Sequence, residues 1–110
     1  MKKKTLKKMF RYINQELFDN MLDMPMLHVL TSKQAKKLWH VPIDGICIPF
    51  KKGGYAIGIH NDLTYTQAFD TMTHEMIHIA LMDKNGYSGH GKPFKKMCRK
   101  AIDTFYYNVL

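Results

Sequence analysis

The sequence predicts an α+β domain with the order helix, three strands, helix, helix. Three observations carry this. Apolar residues recur at helical three-and-four spacing near both ends of the chain, two short alternating runs are joined by Lys51-Lys52-Gly53-Gly54, and a helical run after them carries His74-Glu75-Met76-Ile77-His78. With 110 residues, 45% hydrophobic and 24% charged, there is material for one core and not for two. Residues 1–110 are therefore expected to form a single domain, without repeats, low-complexity tracts or an internal linker.

From Lys4 to about Asn20, Leu6, Met9, Phe10, Ile13, Leu17 and Phe18 mark one face of a helix, and Lys3, Lys4, Lys7, Lys8 and Arg11 lie around the rest of it. After a turn-like segment ending in Pro25, Met26 to Thr31 reads as a strand, followed by a short polar segment from Lys33 to Trp39. Ile46, Ile48 and Phe50 alternate on one side of the next strand, and Tyr55, Ile57 and Ile59 on one side of its hairpin partner. Pro49 suits a strand end or a sheet edge. Helical period returns from about Thr64 to Asp83, with Phe69, Met72, Met76, Ile79 and Ala80 on the core side and Asn85-Gly86 as the stop. A last helix starts near Pro93 and carries Phe94, Met97, Cys98, Ala101, Ile102, Phe105, Tyr106 and Val109 as a core stripe, with Lys92, Lys95, Lys96, Arg99 and Lys100 outside it.

Seventeen Lys and Arg against nine acids give a net charge of +8, which suits a phosphate-bearing partner, DNA among them, as well as a plain solvated surface. Aromatic residues near the basic runs fall on core faces by period, so no exposed stacking platform for single strands is expected. No apolar run reaches the ~20 residues of a membrane helix, and Met1-Lys2-Lys3-Lys4-Thr5 lacks the apolar segment of a secretory signal. A cytoplasmic location without membrane contact follows as an expectation. The two cysteines, Cys47 and Cys98, are too few for a disulfide framework or zinc ribbon and read as buried thiols.

The pattern His74-Glu75-Met76-Ile77-His78 is H-E-x-x-H. On a helix the two histidines stand roughly 40° apart around the axis, so both imidazoles reach one metal ion. Glu75 falls on the shoulder of that face, where a general base acts on water without ligating the metal. A catalytic zinc usually takes a third protein ligand. Leu81 and Lys84 stand where a further downstream Gly and His would complete the longer histidine motif. The only other glutamate is Glu16, on the first helix. Asp83 lies near a helix end and Asp103 among surface positions. His90, in Gly89-His90-Gly91, is the best third ligand, because its glycines let the loop return beside the motif helix. His60 at the end of the third strand is a weaker candidate, and His28 and His40 read as surface or packing residues. Tyr106 or Tyr107 is a conceivable oxyanion donor, although Tyr106 sits on the core stripe. Lys92 reads as solvated.

Thr73-His74-Glu75-Met76-Ile77-His78 followed by Gly89-His90-Gly91-Lys92-Pro93-Phe94-Lys95-Lys96-Met97 resembles the SprT-like (Spartan-type) zinc metalloprotease family, most strongly over residues 71–98. Asn14, Leu17, Phe18, the turn before Pro25 and the hairpin extend the likeness upstream. The resemblance implies a zincin-like fold, zinc held by His74, His78 and His90, and Glu75 as the base for hydrolysis of peptide bonds. It also implies a protein or peptide substrate aligned on a sheet edge, and substrates associated with DNA. No C-terminal zinc ribbon follows the motif, so a bare catalytic domain is expected. Two other readings stay open: a non-catalytic zinc- or nucleic-acid-binding module on a degenerate zincin fold, its metal closed by a fourth ligand such as His60, and a zinc-dependent nuclease. Composition leaves the oligomeric state open.

Overall fold

The order of elements is the expected one with a single addition. In the computed structural model, which describes residues 1–39, 44–86 and 89–106, helix α1 (Lys3–Phe18) is followed by β1 (Met26–Leu30), α2 (Ser32–Trp39), β2 (Gly45–Pro49), β3 (Tyr55–His60), α3 (Tyr65–Asn85) and α4 (Lys92–Phe105). His40, Tyr107, Val109 and the side chain of Trp39 lie outside the described residues.

The addition is α2, where only a polar segment was expected. Its start is fixed by a reciprocal pair: the Gln34 N–H donates to Thr31 Oγ1 (3.2 Å) and the Thr31 N–H to Gln34 Oε1 (2.9 Å). These bonds satisfy two donors that a helix N-terminus leaves unpaired. Thr64 and Gln67 do the same for α3, at 3.2 and 3.0 Å. That helix ends at Gly86, whose φ of 66° is a conformation glycine adopts without strain. At the end of α1, the buried Asn14 side chain donates to the Leu22 carbonyl (2.8 Å) and accepts from the Leu22 N–H (3.1 Å), clamping the turn toward β1.

The three strands form one sheet in the order β1-β3-β2, with β1 parallel and β2 antiparallel to β3. Cys47 lies opposite Ile57 and Gly45 opposite Ile59, so these residues share a face. This is the core side: Leu27, Ile57 and Ile59 are buried in the main cluster, and Val29, Cys47 and Tyr55 pack against it. The alternating row Ile46, Ile48 and Phe50 is the outer one, and Ile48 and Phe50 remain 40% and 41% exposed. Sequence alternation identified the row but not its side, because register with β3 decides that. The cysteines are correspondingly half-buried thiols and not fully buried ones.

Helix α3 is the hub of the packing. It rests on β2 and β3 on one side and meets α1 and α4 on the other. Ala68, Met72, Thr73, Glu75, Met76, Ile77, Ile79 and Leu81 are all buried. Burial therefore extends well beyond the expected stripe, on which Phe69 and Ala80 are only partly covered. Helix α1 supplies Leu6, Met9, Phe10, Ile13 and Leu17 to the same core, and α4 supplies Phe94 and Ala101. The close seating of α3 on β2 depends on Gly45. A Cβ there would collide with Cγ2 of Thr71 and stand 3.1 Å from the Gly58 carbonyl oxygen.

Gly45→Ala is accordingly expected to destabilise the protein by about 1–3 kcal/mol, the usual cost of overpacking. Thr71→Ser in the same chain, which removes the obstructing methyl, is expected to recover part of that loss. Urea unfolding of the single and double variants measures both, and unchanged stability for Gly45→Ala would contradict the close seating.

Candidate metal centre

The buried surroundings of α3 leave one stripe free, and the two motif histidines stand on it: His74 is exposed and His78 half-buried. His90 comes from the short segment between α3 and α4, immediately before Gly91 at the N-cap of α4. The Nε2 atoms of His74 and His78 lie 3.2 Å apart, and those of His78 and His90 3.0 Å. One ligand atom from each residue lies within 4.8 Å of the others, and this is the only such gathering of His, Cys, Asp or Glu among the described residues.

These distances identify what the arrangement suits. A ring nitrogen carries either one N–H or one lone pair, so Nε2 of His78 cannot make good hydrogen bonds to both neighbours at once. Nitrogens around a tetrahedral zinc at ~2.0–2.1 Å stand roughly 3.3 Å apart, close to the observed spacing. Three lone pairs directed at one point suit a cation. The electrostatics agree. Burial, with His90 nearby, lowers the His74 pKa; burial, then His74 and His90, lowers that of His78 to about 4. Both rings are neutral at pH 7, the form that ligates.

Beneath the three rings lies Phe94, from the first turn of α4. Its centroid is 4.8 Å from that of His74 and 4.7 Å from those of His78 and His90. Pro93 near the helix start places it. Phe94 is 5% exposed, so it joins the core to the site and restricts how the imidazoles turn. The sequence places it on a core stripe; its position four residues after His90 was the available signal for a role at the site.

Glu75 is 7% exposed, and burial pushes its carboxyl pKa up to about 7. Among the described residues its Oε2 is buried with no hydrogen-bond partner. Such an atom costs on the order of 1–3 kcal/mol unless something occupies its lone pairs. Cys47 of β2 lies within electrostatic reach: burial, then Glu75 and Asp83, pushes its thiol up to about 12.

The remaining candidates stand elsewhere. Asp83 accepts a 2.6 Å hydrogen bond from the Tyr55 hydroxyl, tying the end of α3 to β3. That bond is the first cause of the rise of the Tyr55 pKa to about 12. Asp103 faces the seam between α4 and α1, beside Glu16. His60 Nε2 lies 3.0 Å from Ser32 Oγ, and its Nδ1 accepts from the Asp62 N–H at 3.3 Å. Nδ1 is thereby the acceptor and Nε2 the N–H, so this Ser-His-Asp group ties α2 to the end of β3 and lacks the tautomer of a nucleophilic triad. His28 and Lys92 are exposed. Tyr106 is not a core residue: it is 38% exposed and its hydroxyl donates to Asp70.

No helix among the described residues is long and apolar enough to cross a membrane. No curated protein and no solved structure matches the chain. A family model does, over residues 6–109, nearly the whole length, and its description is the SprT-like family. That family points to a metallopeptidase-like domain, with which the cluster of three histidines is compatible. The chain belongs to the SprT-like family.

Proposed function

We propose that this protein is a zinc-dependent endopeptidase in which His74, His78 and His90 hold the metal through Nε2 and Glu75 is the general base. The observation that carries this reading is the convergence of three ring nitrogens, with a buried and unpartnered Oε2 on Glu75, the residue next to His74 on the same helix. When bound, zinc supplies Lewis-acid polarisation of the scissile carbonyl and makes water acidic enough to give up a proton near pH 7.

The chain's own residues do the rest. Glu75 Oε2 accepts a proton from the attacking water, and Glu75 returns it to the amine nitrogen as the C–N bond breaks. A carboxyl held near pKa 7 by burial is suited to both halves of that cycle. A purely structural metal would be closed by a fourth side chain, but His60 is engaged by Ser32 and Asp62.

Strand β2 supplies the place for an extended substrate. It lies at a sheet edge, with Gly45 against Thr71 and Cys47 within reach of Glu75. The hydrogen bonds from His60 N–H to the Asp44 carbonyl and from Phe50 N–H to the Gly54 carbonyl set the alternation. It turns the backbone groups of Gly45 and Cys47 away from β3, toward a pairing partner. Pro49 has no N–H and ends such pairing. Proteins associated with DNA are the substrate class we favour, on the net charge of +8 and the family resemblance.

Glu75→Gln is expected to keep one zinc per chain and to lower kcat for casein by about 10²–10⁴-fold. Equal cleavage by the variant and the parent would remove Glu75 from the reaction. His90→Ala is expected to lose stoichiometric zinc in elemental analysis. For the parent protein, zinc at about 100 times its Kd stabilises the fold by about 2.7 kcal/mol, which a melting curve with and without EDTA reads directly. An unchanged melt together with full zinc in His90→Ala would contradict the ligand set.

A further inference from the structure

The outer face of the sheet holds a row of apolar side chains that neither the core nor the metal centre uses. Ile46, Ile48 and Phe50 contribute to it from β2, an edge strand. Register carries the row across all three strands: Met26 of β1 lies beside Ala56 of β3, and Ala56 beside Ile48 of β2. At one end this face is filled. A Cβ on Gly58 would stand 2.7 Å from Leu30 Cδ1 and 3.2 Å from Ile46 Cγ2, so those two side chains meet over the glycine. At the other end the face is open, with Met26 55% exposed, Ile48 40% and Phe50 41%. A contiguous exposed apolar row on a small domain marks a surface that a ligand or partner covers.

The backbone of the same strand dictates the shape of the occupant. The N–H and C=O groups of Gly45 and Cys47 point away from β3, an open ladder that another extended chain completes. In an antiparallel pairing, the more stable kind per residue, the residues opposite Gly45 and Cys47 exchange hydrogen bonds with them. The residues opposite Ile46 and Ile48 sit in the pairs without hydrogen bonds, where Cα atoms stand only ~4.5 Å apart and side chains approach most closely. Side chains alternate between the two faces of a strand, so both of these residues turn to the outer face and lie on Ile46 and Ile48. Charge distinguishes the two ends. Asp44 precedes β2, and the exposed Lys51 and Lys52 follow it. An antiparallel chain therefore brings its N-terminal end to the two lysines and its C-terminal end to Asp44.

We propose that Ile46, Ile48 and Phe50 set the sequence preference of the substrate edge, selecting an extended segment with large apolar residues at every second position and an acidic residue at its N-terminal end. Each apolar pair across the two strands removes side-chain surface from water on both partners, and a polar residue at the same place forgoes that gain. A carboxylate beside Lys51 and Lys52 meets complementary charge, where a basic residue meets repulsion. Phe50 extends the row past Pro49, so side-chain recognition continues where the backbone ladder stops. The proposal rests on the endopeptidase reading for the use of the edge, and adds to it which segments the edge takes.

Fluorescence anisotropy on the full-length, zinc-loaded Glu75→Gln chain, which cuts too slowly to consume its ligand, tests this. The probe is a short labelled peptide with two aspartates at its N-terminal end, valine and threonine in alternation, and lysine at its C-terminal end. One control peptide has the same residues with the valines grouped together, and a second has the charged ends exchanged. The alternating probe is expected to bind about 3–10-fold tighter than the grouped one, and at low salt more tightly than the one with exchanged ends. Adding Ile48→Ser with Phe50→Ser, at residues too exposed for the fold to depend on them, should erase the first difference while zinc content and melting temperature stay unchanged. Lys51→Ala with Lys52→Ala should erase the second. Equal binding of alternating and grouped peptides, or undiminished discrimination after Ile48→Ser with Phe50→Ser, would overturn the proposal. So would self-association that those two substitutions abolish, which would assign the row to a second copy of this chain. With Glu75 restored, casein fragments should carry apolar residues at alternate positions near the cut. No cleavage at all, with the peptide preference intact, would contradict the endopeptidase reading and leave the specificity of the edge standing.

Discussion

Three imidazole nitrogens converging to 3.0 and 3.2 Å around a shared point impose the tightest constraint in this molecule. Without a cation between them their lone pairs repel, and one ring nitrogen cannot satisfy two neighbours by sharing protons. The rest of the fold holds them there. His74 and His78 are one helical turn apart on α3, so their spacing is fixed as soon as that helix is. The helix is fixed by burial on both sides, seated on β2 and β3 through the gap at Gly45 and covered by α1 and α4. His90 is brought back by the short connection to α4, whose Phe94 packs under all three rings.

The same burial accounts for the chemistry of the carboxylate. Residues on a helix at the centre of a small domain have few open directions, and Glu75, one position after a ligand, points into the core boundary instead of into solvent. Burial without a partner disfavours its charged form and pushes its pKa up to about 7. The raised pKa of Glu75 and the lowered pKa of His78 thus share burial as their first cause. Cys47 on the neighbouring strand meets the same field: burial, then Glu75 and Asp83, holds its thiol protonated.

Much of this was legible in the sequence, for identifiable reasons. The H-E-x-x-H pattern encodes a helical geometry directly, and glycines on both sides of His90 mark a chain that turns sharply. Helices α1, α3 and α4 announced themselves through period and through stops such as Asn85-Gly86. Helix α2 was hidden because its apolar content is low, although Thr31-x-x-Gln34 is the same capping pattern that opens α3 at Thr64-x-x-Gln67. The side of β2 facing the core was illegible, since alternation leaves two choices and the partner strand settles them. Phe94 and Tyr12 show the limit of stripe reasoning. Phe94 is both core and site. Tyr12 follows Arg11 off the stripe of α1 and is 52% exposed, so the expectation that aromatic residues near the basic runs all face the core does not hold.

Zinc-edge X-ray absorption of the purified chain tests the central claim most directly, because it counts and identifies the ligands without relying on activity. The account expects three imidazole nitrogens at about 2.0 Å and one light-atom ligand that the protein does not supply. A sulfur ligand, a fourth imidazole or the absence of stoichiometric metal would contradict it.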